Sequence, residues 1–424
     1  MKVAAVIAEY NPFHNGHHYH LERTRGLAGA DYIIAVLSGD FVQRGMPAVM
    51  DKYARAEMAL RNGVDLVLEL PAVYATGSAE FFAMGAISLL DKLGCVDFLC
   101  FGSECGQLEP LSRMASLLLE EPAAYYIPLQ RYLKAGHSFP KARSLALQVA
   151  FSGSIAASPN DILGVEYIKA LQKRRSAIRP LTVQREGSSY HDPILDENRR
   201  SGPSGGPLFY SSASAIREHI AGHGKGEALA DLENIKGHVP ENVFRLLCDR
   251  LGKTFPMGSH DFSSLLFYKL LLENEKGFSH YQDMAPALSD KIRKNLNRYE
   301  GFEQFCSLLK SKDITYSRIS RCLIHILLDM REEKLQEYIG QDFTFYARIL
   351  GFRKSSAPLL AAIKANASIP LISKLADARF LLNDAGLSML EKDIQASHIY
   401  SSVISDKFGH SFSSEYTRPL VILP

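Results

Sequence analysis

The spacing of apolar runs in the first half of the chain is the feature that most constrains its fold. Short runs rich in β-branched residues recur about every 30 residues, the length of one βαβ unit, and span 3–10, 31–40, 64–71 and 96–104. Helix-like stretches lie between them, at 18–29, 50–63 and 78–94. This alternation predicts an α/β fold, a doubly wound parallel sheet covered on both faces. A further run at 179–186 predicts another strand of the same sheet.

The pattern changes beyond the last of these runs. Residues 187–209 are rich in Gly, Ser and Pro and have no periodicity, which predicts either a functional loop such as a lid or a disordered one. From about residue 226 onward, strand-like runs are scarce and helix-like ones frequent. We therefore predict two domains, residues 1–235 with the sheet and residues 236–424 mostly helical. The tail from about residue 390 gives no functional signal.

Charge and cysteine content narrow the function classes. The 424 residues carry a net charge of only +2, so a surface that binds nucleic acid must be a local patch. No apolar run reaches the ~18 to 20 residues of a membrane span. The six cysteines form neither a CxxC pair nor a dense framework, which indicates free thiols in a reducing compartment. We expect a cytoplasmic protein that has no membrane partner.

Four histidines, His14, His17, His18 and His20, stand within seven residues of the segment AEYNPFHNGHHYHL. A divalent metal is one explanation, because imidazole is a good zinc ligand and His14 and His18 are four residues apart. However, the proline and the Asn-Gly pair around His14 predict a turn, and no second cluster follows at ligand spacing. We therefore predict no metal site here.

A phosphate chain is the ligand that this segment favours. The strand at 3–10 is followed by a glycine-containing turn and by a helix that begins near His17, and ligands bind at the carboxyl ends of parallel strands. Helix N-termini present unpaired N–H groups to anions. His14 and His17 would donate hydrogen bonds to phosphate oxygens and stabilise charge during transfer at the α-phosphorus. We expect His18 and His20 on the surface or packing face of the helix.

Two segments resemble signatures of the nucleotidyltransferase superfamily. PFHNGH, residues 12–17, resembles its HxGH motif, and YSSASAIREHI, residues 210–220, resembles its ISSTxxR motif. On this resemblance, Ser212 and Ser214 cap a helix N-terminus and Arg217 reaches the β- and γ-phosphates. Serine is a preferred N-cap and arginine a strong phosphate partner, although an ordinary capped helix with a surface arginine has the same pattern.

Further segments narrow the resemblance to one family. From residue 1 to about 350 the chain is similar to the bacterial tRNA(Met) cytidine acetate ligases, in the segments VIAEYNPFHNGHHYHL, VLSGDFVQRGMPAVMDKYARAEMAL, GVDLVLELP, FGSE, SPNDILGVEY, YSSASAIR and TYSRISRCLIHILL. The resemblance implies a nucleotidyltransferase-like (Rossmann-like) fold and an ATP-dependent ligase. Such a ligase activates acetate as acetyl-adenylate and acetylates N4 of the wobble cytidine of elongator tRNA(Met). The implied products are N4-acetylcytidine, AMP and pyrophosphate, and the implied cofactors are ATP and Mg²⁺.

The resemblance also implies site residues. ATP contacts are implied for Ile7, Ala8, Glu9, Tyr10, Asn11, Pro12, Phe13, His14, Asn15, Gly16, His17, His18, Tyr19 and His20, and for Gly102, Asn160, Arg185, Ser212 and Ser214. Gly102 and Arg185 end predicted strands, where ligands bind. Asn160 heads a predicted helix, where it could also serve only as an N-cap. The predicted catalytic residues are His14, His17, Asp40 and Arg217.

Asp40 closes the second predicted strand. A carboxylate there could hold Mg²⁺ or orient a substrate, or it could only cap a turn. Gln43 and Arg44 follow in the same loop, where Arg44 could meet an anionic substrate. We expect Arg55, on the next helix, to be a surface or ion-pair residue.

The predicted tRNA-binding surface lies in residues 308–321. Basic side chains can neutralise phosphates and an aromatic ring can stack on an unpaired base, and this segment interleaves Lys310, Lys312, Tyr316, Arg318 and Arg321. The same residues lie on an amphipathic helix, whose charges could simply face solvent. Weaker basic patches lie at 171–179, 293–298 and 346–354.

Two other functions share these motifs. An adenylyltransferase acting on a small phosphorylated metabolite would need only the first domain, so the residues from 236 onward argue against it. A non-catalytic RNA-binding protein could retain a degenerate nucleotide site, but the HNGH and SASAIR segments are intact. The residues themselves select neither acetate over another small carboxylate, nor a particular tRNA, nor an oligomeric state.

Overall fold

A mixed sheet forms the centre of the molecule. The computed structural model describes residues 1–137, 139–150, 158–185, 195, 200–201, 207–221 and 232–424. Its strands are β1 (Val3–Ala8), β2 (Tyr32–Ser38), β3 (Phe41–Val42), β4 (Met46–Pro47), β5 (Leu66–Leu70), β6 (Phe98–Ser103), β7 (Arg179–Gln184), β8 (Arg200–Ser201), β9 (Pro207–Leu208), β10 (Ala347–Arg353), β11 (Leu371–Ile372) and β12 (Val421–Leu423). Most of the predicted loop at 187–209 lies outside the described residues.

The helices before residue 235 are α1 (Asn15–Ala28), α2 (Lys52–Arg61), α3 (Ala72–Ala75), α4 (Ala79–Lys92), α5 (Leu108–Glu120), α6 (Ala123–Lys134), α7 (Phe139–Ala150), α8 (Pro159–Arg174) and α9 (Ala213–Ala221). Those after it are α10 (Glu241–Arg250), α11 (Ser263–Glu273), α12 (Pro286–Asn295), α13 (Phe302–Leu309), α14 (Tyr316–Leu327), α15 (Glu332–Gly340), α16 (Ala357–Asn366) and α17 (Asp384–Phe408). Short 3-10 segments connect several of them.

The predicted doubly wound α/β fold is confirmed. The sheet has the order β11-β10-β5-β2-β1-β6-β7, and β5, β2, β1, β6 and β7 run parallel. The chain winds from β1 through β2 to β5 on one side and then places β6 on the other side of β1. A ligand crevice is expected at this switch point, outside the carboxyl ends of β1 and β6.

Alternate residues of each strand face different cores. In β2, Ile34 and Val36 pack with α4 in one core, whereas Ile33 and Ala35 pack with α2 in the other. Successive side chains of a strand point to opposite faces of the sheet, and here both faces are buried. This burial explains why the strands appear in the sequence as nearly continuous apolar runs.

The later part of the chain contributes the far edge of the sheet. Strand β10 runs antiparallel beside β5, and both β11 and β12 run parallel to β10. The basic patch predicted at 346–354 is therefore mostly a sheet strand, and its Arg348 is buried. Helices do predominate after residue 235, but the domain boundary there stays a prediction because strands from both sides of it share one sheet.

Four buried charges connect these parts of the chain. Lys52 Nζ lies 2.7 Å from Glu69 Oε1 and 2.8 Å from Glu415 Oε1, and Arg348 pairs with the same two carboxylates at 3.0 and 2.5 Å. Burial alone would raise the pKa of Glu415, but Lys52 and Arg348 outweigh it and lower the pKa to about 2. Two cations and two anions thus balance inside the protein, as buried charges require.

Within the described ranges, no helix is both long enough and apolar enough to cross a membrane. All six cysteines are free thiols.

Replacing Glu415 with glutamine should destabilise the protein, because Lys52 and Arg348 then lack a buried counter-charge. We expect a loss of about 3 kcal/mol or more in the free energy of unfolding at pH 7, measured by urea denaturation. The lowered pKa makes this stabilisation complete above the ordinary value of 4.5 and lost as the pH falls toward about 2. The difference in free energy of unfolding between wild type and variant should therefore become smaller as the pH falls from 4.5 toward about 2.

The matched control is Glu241→Gln, which removes one partner of an exposed pair with Arg245 on α10. It should change the free energy of unfolding by less than about 0.5 kcal/mol. Equal effects of the two substitutions would show that the buried charges do not stabilise the fold.

Candidate active site

The HNGH segment forms the N-terminus of α1 at the carboxyl end of β1. His14 is the N-cap residue, and its Nδ1 accepts a hydrogen bond from the Gly16 N–H at 3.1 Å. His17 Nδ1 accepts one from the His14 N–H at 3.2 Å, and the two rings stack with centroids 3.7 Å apart. Two histidines thus form the reciprocal cap that Ser and Glu usually provide.

This arrangement fixes the protonation of both rings. Because each Nδ1 accepts a hydrogen bond, the proton of the neutral ring lies on Nε2. Burial, with the charges of Arg185 and Arg217, lowers the pKa of His14 to about 3. Burial and His14 lower the pKa of His17 well below its ordinary value. Both residues are therefore neutral Nε2–H donors at pH 7.

The absence of a side chain at Gly16 leaves room for the His14 imidazole. A Cβ at this position would lie 2.9 Å from His14 Cε1 and 3.1 Å from its Nδ1. The 2.9 Å distance is shorter than real Cβ contacts, so a side chain at Gly16 would displace the imidazole from its capping position.

The YSSASAIR segment forms the N-terminus of α9, next to the first motif. Ser212 caps this helix, since its Oγ accepts a hydrogen bond from the Ala215 N–H at 3.0 Å. Arg217 donates to the Asn11 carbonyl at 2.7 Å and to Ser214 Oγ at 3.0 Å. The predicted cap is therefore correct for Ser212, whereas Ser214 lies inside the helix, where its hydroxyl orients the guanidinium.

Hydrogen bonds of Asn15 connect the first motif to segments on either side of α9. Asn15 Nδ2 donates to the carbonyls of Phe209 and Gly237 at 3.0 and 2.7 Å, and its N–H donates to the His238 carbonyl. Ser211 Oγ lies 2.8 Å from His238 Nδ1. The start of α1 is thus held by chain segments that come 194 to 222 residues later.

A cavity lies where the two motifs meet, at the expected switch point. Fifteen of the predicted site residues line it: Ile7, Ala8, Glu9, Tyr10, Asn11, His14, Gly16, His17, Tyr19, His20, Gly102, Asn160, Arg185, Ser214 and Arg217. Pro12, Phe13, Asn15, His18, Asp40 and Ser212 do not line it. The lining residues that the sequence analysis did not name are Val6, Val42, Met46, Phe82, Phe101, Leu163, Tyr167, Val183, Gln184, Tyr210, Ser211 and Ala213.

One wall of the cavity comes from β6, β7 and α8. Asn160 Nδ2 donates to Glu104 Oε1 at 2.6 Å, and Arg185 Nε lies 3.9 Å from the same oxygen. The N-cap of α8 is Ser158, so the alternative that Asn160 serves only as an N-cap is wrong. Asn160 instead reaches the cavity, together with Gly102 and Arg185.

The opposite wall comes from the loop after β2, which carries β3 and β4. Gln43 and Arg44 both line the cavity here, and the Gln43 N–H donates to Glu9 Oε1 at 2.9 Å. This loop rests on α14, where Ser320 Oγ donates to the Gly45 carbonyl at 2.6 Å. The site therefore contacts the later helices directly.

Three buried polar atoms of the lining residues have no hydrogen-bond partner among the described residues: Tyr10 OH, Asn11 Nδ2 and His20 Nε2. Buried polar atoms are almost always hydrogen-bonded, so a ligand is their natural partner. Burial, with the charge of Arg185, lowers the pKa of His20 to about 4. The expectation that His20 is a bystander is therefore corrected, whereas His18 lies outside the lining and pairs with Glu22.

Asp40 and Arg55 differ from the expectations. Asp40 is buried outside the cavity, where its Oδ1 accepts the Lys52 N–H at 2.8 Å, and burial raises its pKa to about 6. This position does not support the predicted catalytic role. Arg55 is wholly buried instead of exposed, and it donates to the carbonyls of Glu9, Ser38, Gly39 and Met50.

The predicted RNA-binding residues are divided between surface and interior contacts. Lys310 and Lys312 are exposed. Arg318 and Arg321 instead form ion pairs with Asp283 at 3.2 and 2.9 Å. Tyr316 packs against the larger core. A tRNA contact by these five residues remains a prediction.

The described part of the chain brings together no group of three or more His, Cys, Asp or Glu side chains that could hold a metal. In particular, His14 and His17 use their Nδ1 atoms as helix caps. Neither Nδ1 atom is therefore available as a metal ligand.

Comparison with known proteins identifies a family and relatives that share one name. Residues 1–415 match the family described as HIGH Nucleotidyl Transferase. The tRNA(Met) cytidine acetate ligase of Thermoanaerobacter sp. (strain X514) is 40% identical over 100% of both chains, and that of Clostridium novyi (strain NT) is 38% identical over 95% and 96%. The crystal structure of Thermotoga maritima TmcAL bound with alpha-thio ATP has a TM-score of 0.88, with 33% identity over 100% of both chains.

A pH-dependent contribution to stability follows from the buried state of His14. Between pH 6.5 and about 3, the unfolded chain binds a proton at this residue that the folded chain does not, so stability falls as the pH falls. Asparagine can still cap α1 but does not titrate. Between pH 7 and pH 5, wild type should therefore lose about 1 to 2 kcal/mol more stability than His14→Asn in urea denaturation. Identical losses of stability in the two proteins would contradict the conclusion that His14 is buried in its neutral form.

Gly16→Ala should impair ATP binding by displacing the His14 imidazole. We expect at least a tenfold weaker Kd for ATP by calorimetry, since a charge-assisted hydrogen bond is lost. The control is Gly26→Ala on the same helix, where an added Cβ meets nothing within 4 Å. It should bind ATP normally and be no less stable than wild type. Normal ATP binding by the Gly16 variant would refute this role.

Proposed function

Because the chain belongs to the HIGH Nucleotidyl Transferase family, we propose that it performs the reaction for which its relatives are named. It is an ATP-dependent tRNA(Met) cytidine acetate ligase. An acetate oxygen attacks the α-phosphorus of ATP, and pyrophosphate leaves. The wobble cytidine N4 of elongator tRNA(Met) then attacks the acetyl carbonyl of the acetyl-adenylate, which yields N4-acetylcytidine and AMP.

The observation that carries the proposal is the convergence of His14, His17 and Arg217 at one helix N-terminus. Acetate and the triphosphate repel each other, so the first step depends on aligning and neutralising anions. His14 and His17 donate from their Nε2–H groups to the phosphates. Arg217 holds the β- and γ-phosphates and the departing pyrophosphate.

The two cavity walls suggest how the substrates are arranged. Gly102, Asn160 and Arg185 bind the nucleotide on the β6 and β7 side. Arg44, on the wall from the β2 loop, binds the acetate carboxylate. Because that loop rests on α14, the tRNA approaches from this side. Lys310 and Lys312 contact its backbone, and the target base leaves its stack to enter the cavity.

Mg²⁺ enters with the triphosphate in this proposal. Within the described ranges, a single carboxylate residue lines the cavity, which is too few for a metal held by the protein alone, and Mg²⁺ in such enzymes is bound chiefly by substrate phosphates and water. The residues present therefore fit a metal held chiefly by ATP, which it would help to neutralise. Since its tRNA substrate is cytoplasmic, we place the enzyme in the cytoplasm.

Incubation with tRNA that lacks the modification, ATP, Mg²⁺ and labelled acetate should give labelled N4-acetylcytidine, identified by mass spectrometry after digestion. His17→Ala should reduce the yield about 100-fold or more, because it removes a donor to the phosphates and the partner of the His14 cap. The control His410→Ala alters an exposed residue near the C-terminus and should have no effect.

Three results would contradict the proposal in different ways. Pyrophosphate release without labelled RNA would indicate another acyl acceptor. Acetate-independent pyrophosphate release would indicate an adenylyltransferase. RNA binding without any ATP turnover would indicate a non-catalytic protein.

A further inference from the structure

The carboxylate of Glu9 is out of place in a cavity that binds anions. The other charged side chains of the lining are the cations Arg44, Arg185 and Arg217, and Glu9 is its one carboxylate residue within the described part of the chain. A carboxylate beside a triphosphate and acetate weakens their binding. Anion binding alone therefore does not explain why a carboxylate lies here.

Glu9 is held firmly in place. Its carbonyl accepts a hydrogen bond from Arg55 Nη1 at 2.6 Å, and its Oε1 accepts one from the Gln43 N–H at 2.9 Å. No residue in the described ranges donates to Oε2. The carboxylate is thus oriented through one oxygen, while the other is available to a ligand.

Among the N–H groups of the substrates in the proposed reaction, the exocyclic amine of cytidine is the one that must lose a proton. Its lone pair is delocalised into the pyrimidine ring, so N4 is a poor nucleophile and its proton must leave as the new bond forms. Glu9 follows directly after β1 and is bonded to the loop of the wall where we place acetate. An acceptor is therefore present on the side where the acetyl group and the amine must meet.

We propose that Glu9 Oε2 accepts the N4 proton during acyl transfer, an inference that rests on the proposed function. The N4 lone pair forms the C–N bond to the acetyl carbonyl carbon. The bond between that carbon and the bridging oxygen of the α-phosphate breaks. AMP leaves with that electron pair. The N4 proton passes to Glu9, which later releases it to solvent. The Glu9 backbone stays part of the nucleotide segment, while its carboxylate serves the second substrate.

The test separates the two half-reactions. Hydroxylamine traps acetyl-adenylate as acetohydroxamate without tRNA, which measures activation, and single-turnover labelling of tRNA measures transfer. Glu9→Gln keeps an oxygen for the Gln43 N–H but accepts no proton. We expect the ratio of transfer to activation to fall about 100-fold or more relative to wild type. The control Glu22→Gln, an exposed carboxylate on α1, should alter neither step.

Equal loss of both steps in Glu9→Gln would overturn the inference, because Glu9 would then serve ATP or its metal. Unimpaired transfer would overturn it as well. A melting curve checks that the variant is folded, and Glu9→Asp, which keeps a carboxylate, should recover part of the transfer rate. If wild type itself forms hydroxamate but no N4-acetylcytidine, or neither product, the proposed function fails before any variant is compared.

Discussion

The ion pairs of Lys52, Glu69, Arg348 and Glu415 are the interaction on which the rest of the structure depends. They join α2 and β5 to the antiparallel strand β10 and to the C-terminal segment, so one balanced group of charges holds distant parts of the chain on one sheet. Near them, Arg55 binds the carbonyls that follow β1 and β2. The strand ends that form the cavity are therefore fixed from inside the protein.

Features set by local sequence could be predicted, and features set by distant partners could not. The five parallel strands follow from apolar runs, and the HNGH turn follows from its place after the first run. Strand β10 was instead interpreted as a basic patch, because its pairing with β5 joins segments almost 300 residues apart. Arg55 and Arg348 likewise resemble surface charges until their buried partners are known.

The candidate site shows the same division. Motif residues such as His14 and Arg217 meet as expected, since both belong to helix N-termini at the carboxyl edge of the sheet. Asp40 stands at that edge too, but its carboxylate turns inward to the backbone of Lys52. A position at a strand end therefore does not decide which way a side chain faces. Tyr210 and Ser211 had one available signal, their place as the first two residues of the second motif.

The contacts of Asn15 with Phe209 and Gly237 have a thermodynamic consequence. They make the phosphate-binding end of α1 part of a joint between segments distant in sequence. If these contacts strengthen the binding of ATP, then bound ATP must strengthen these contacts by the same free energy. Nucleotide affinity is thus a measure of how firmly the 207–211 and 237–238 segments close on the helix. A substitution in this joint would be detected first as a weaker Kd for ATP.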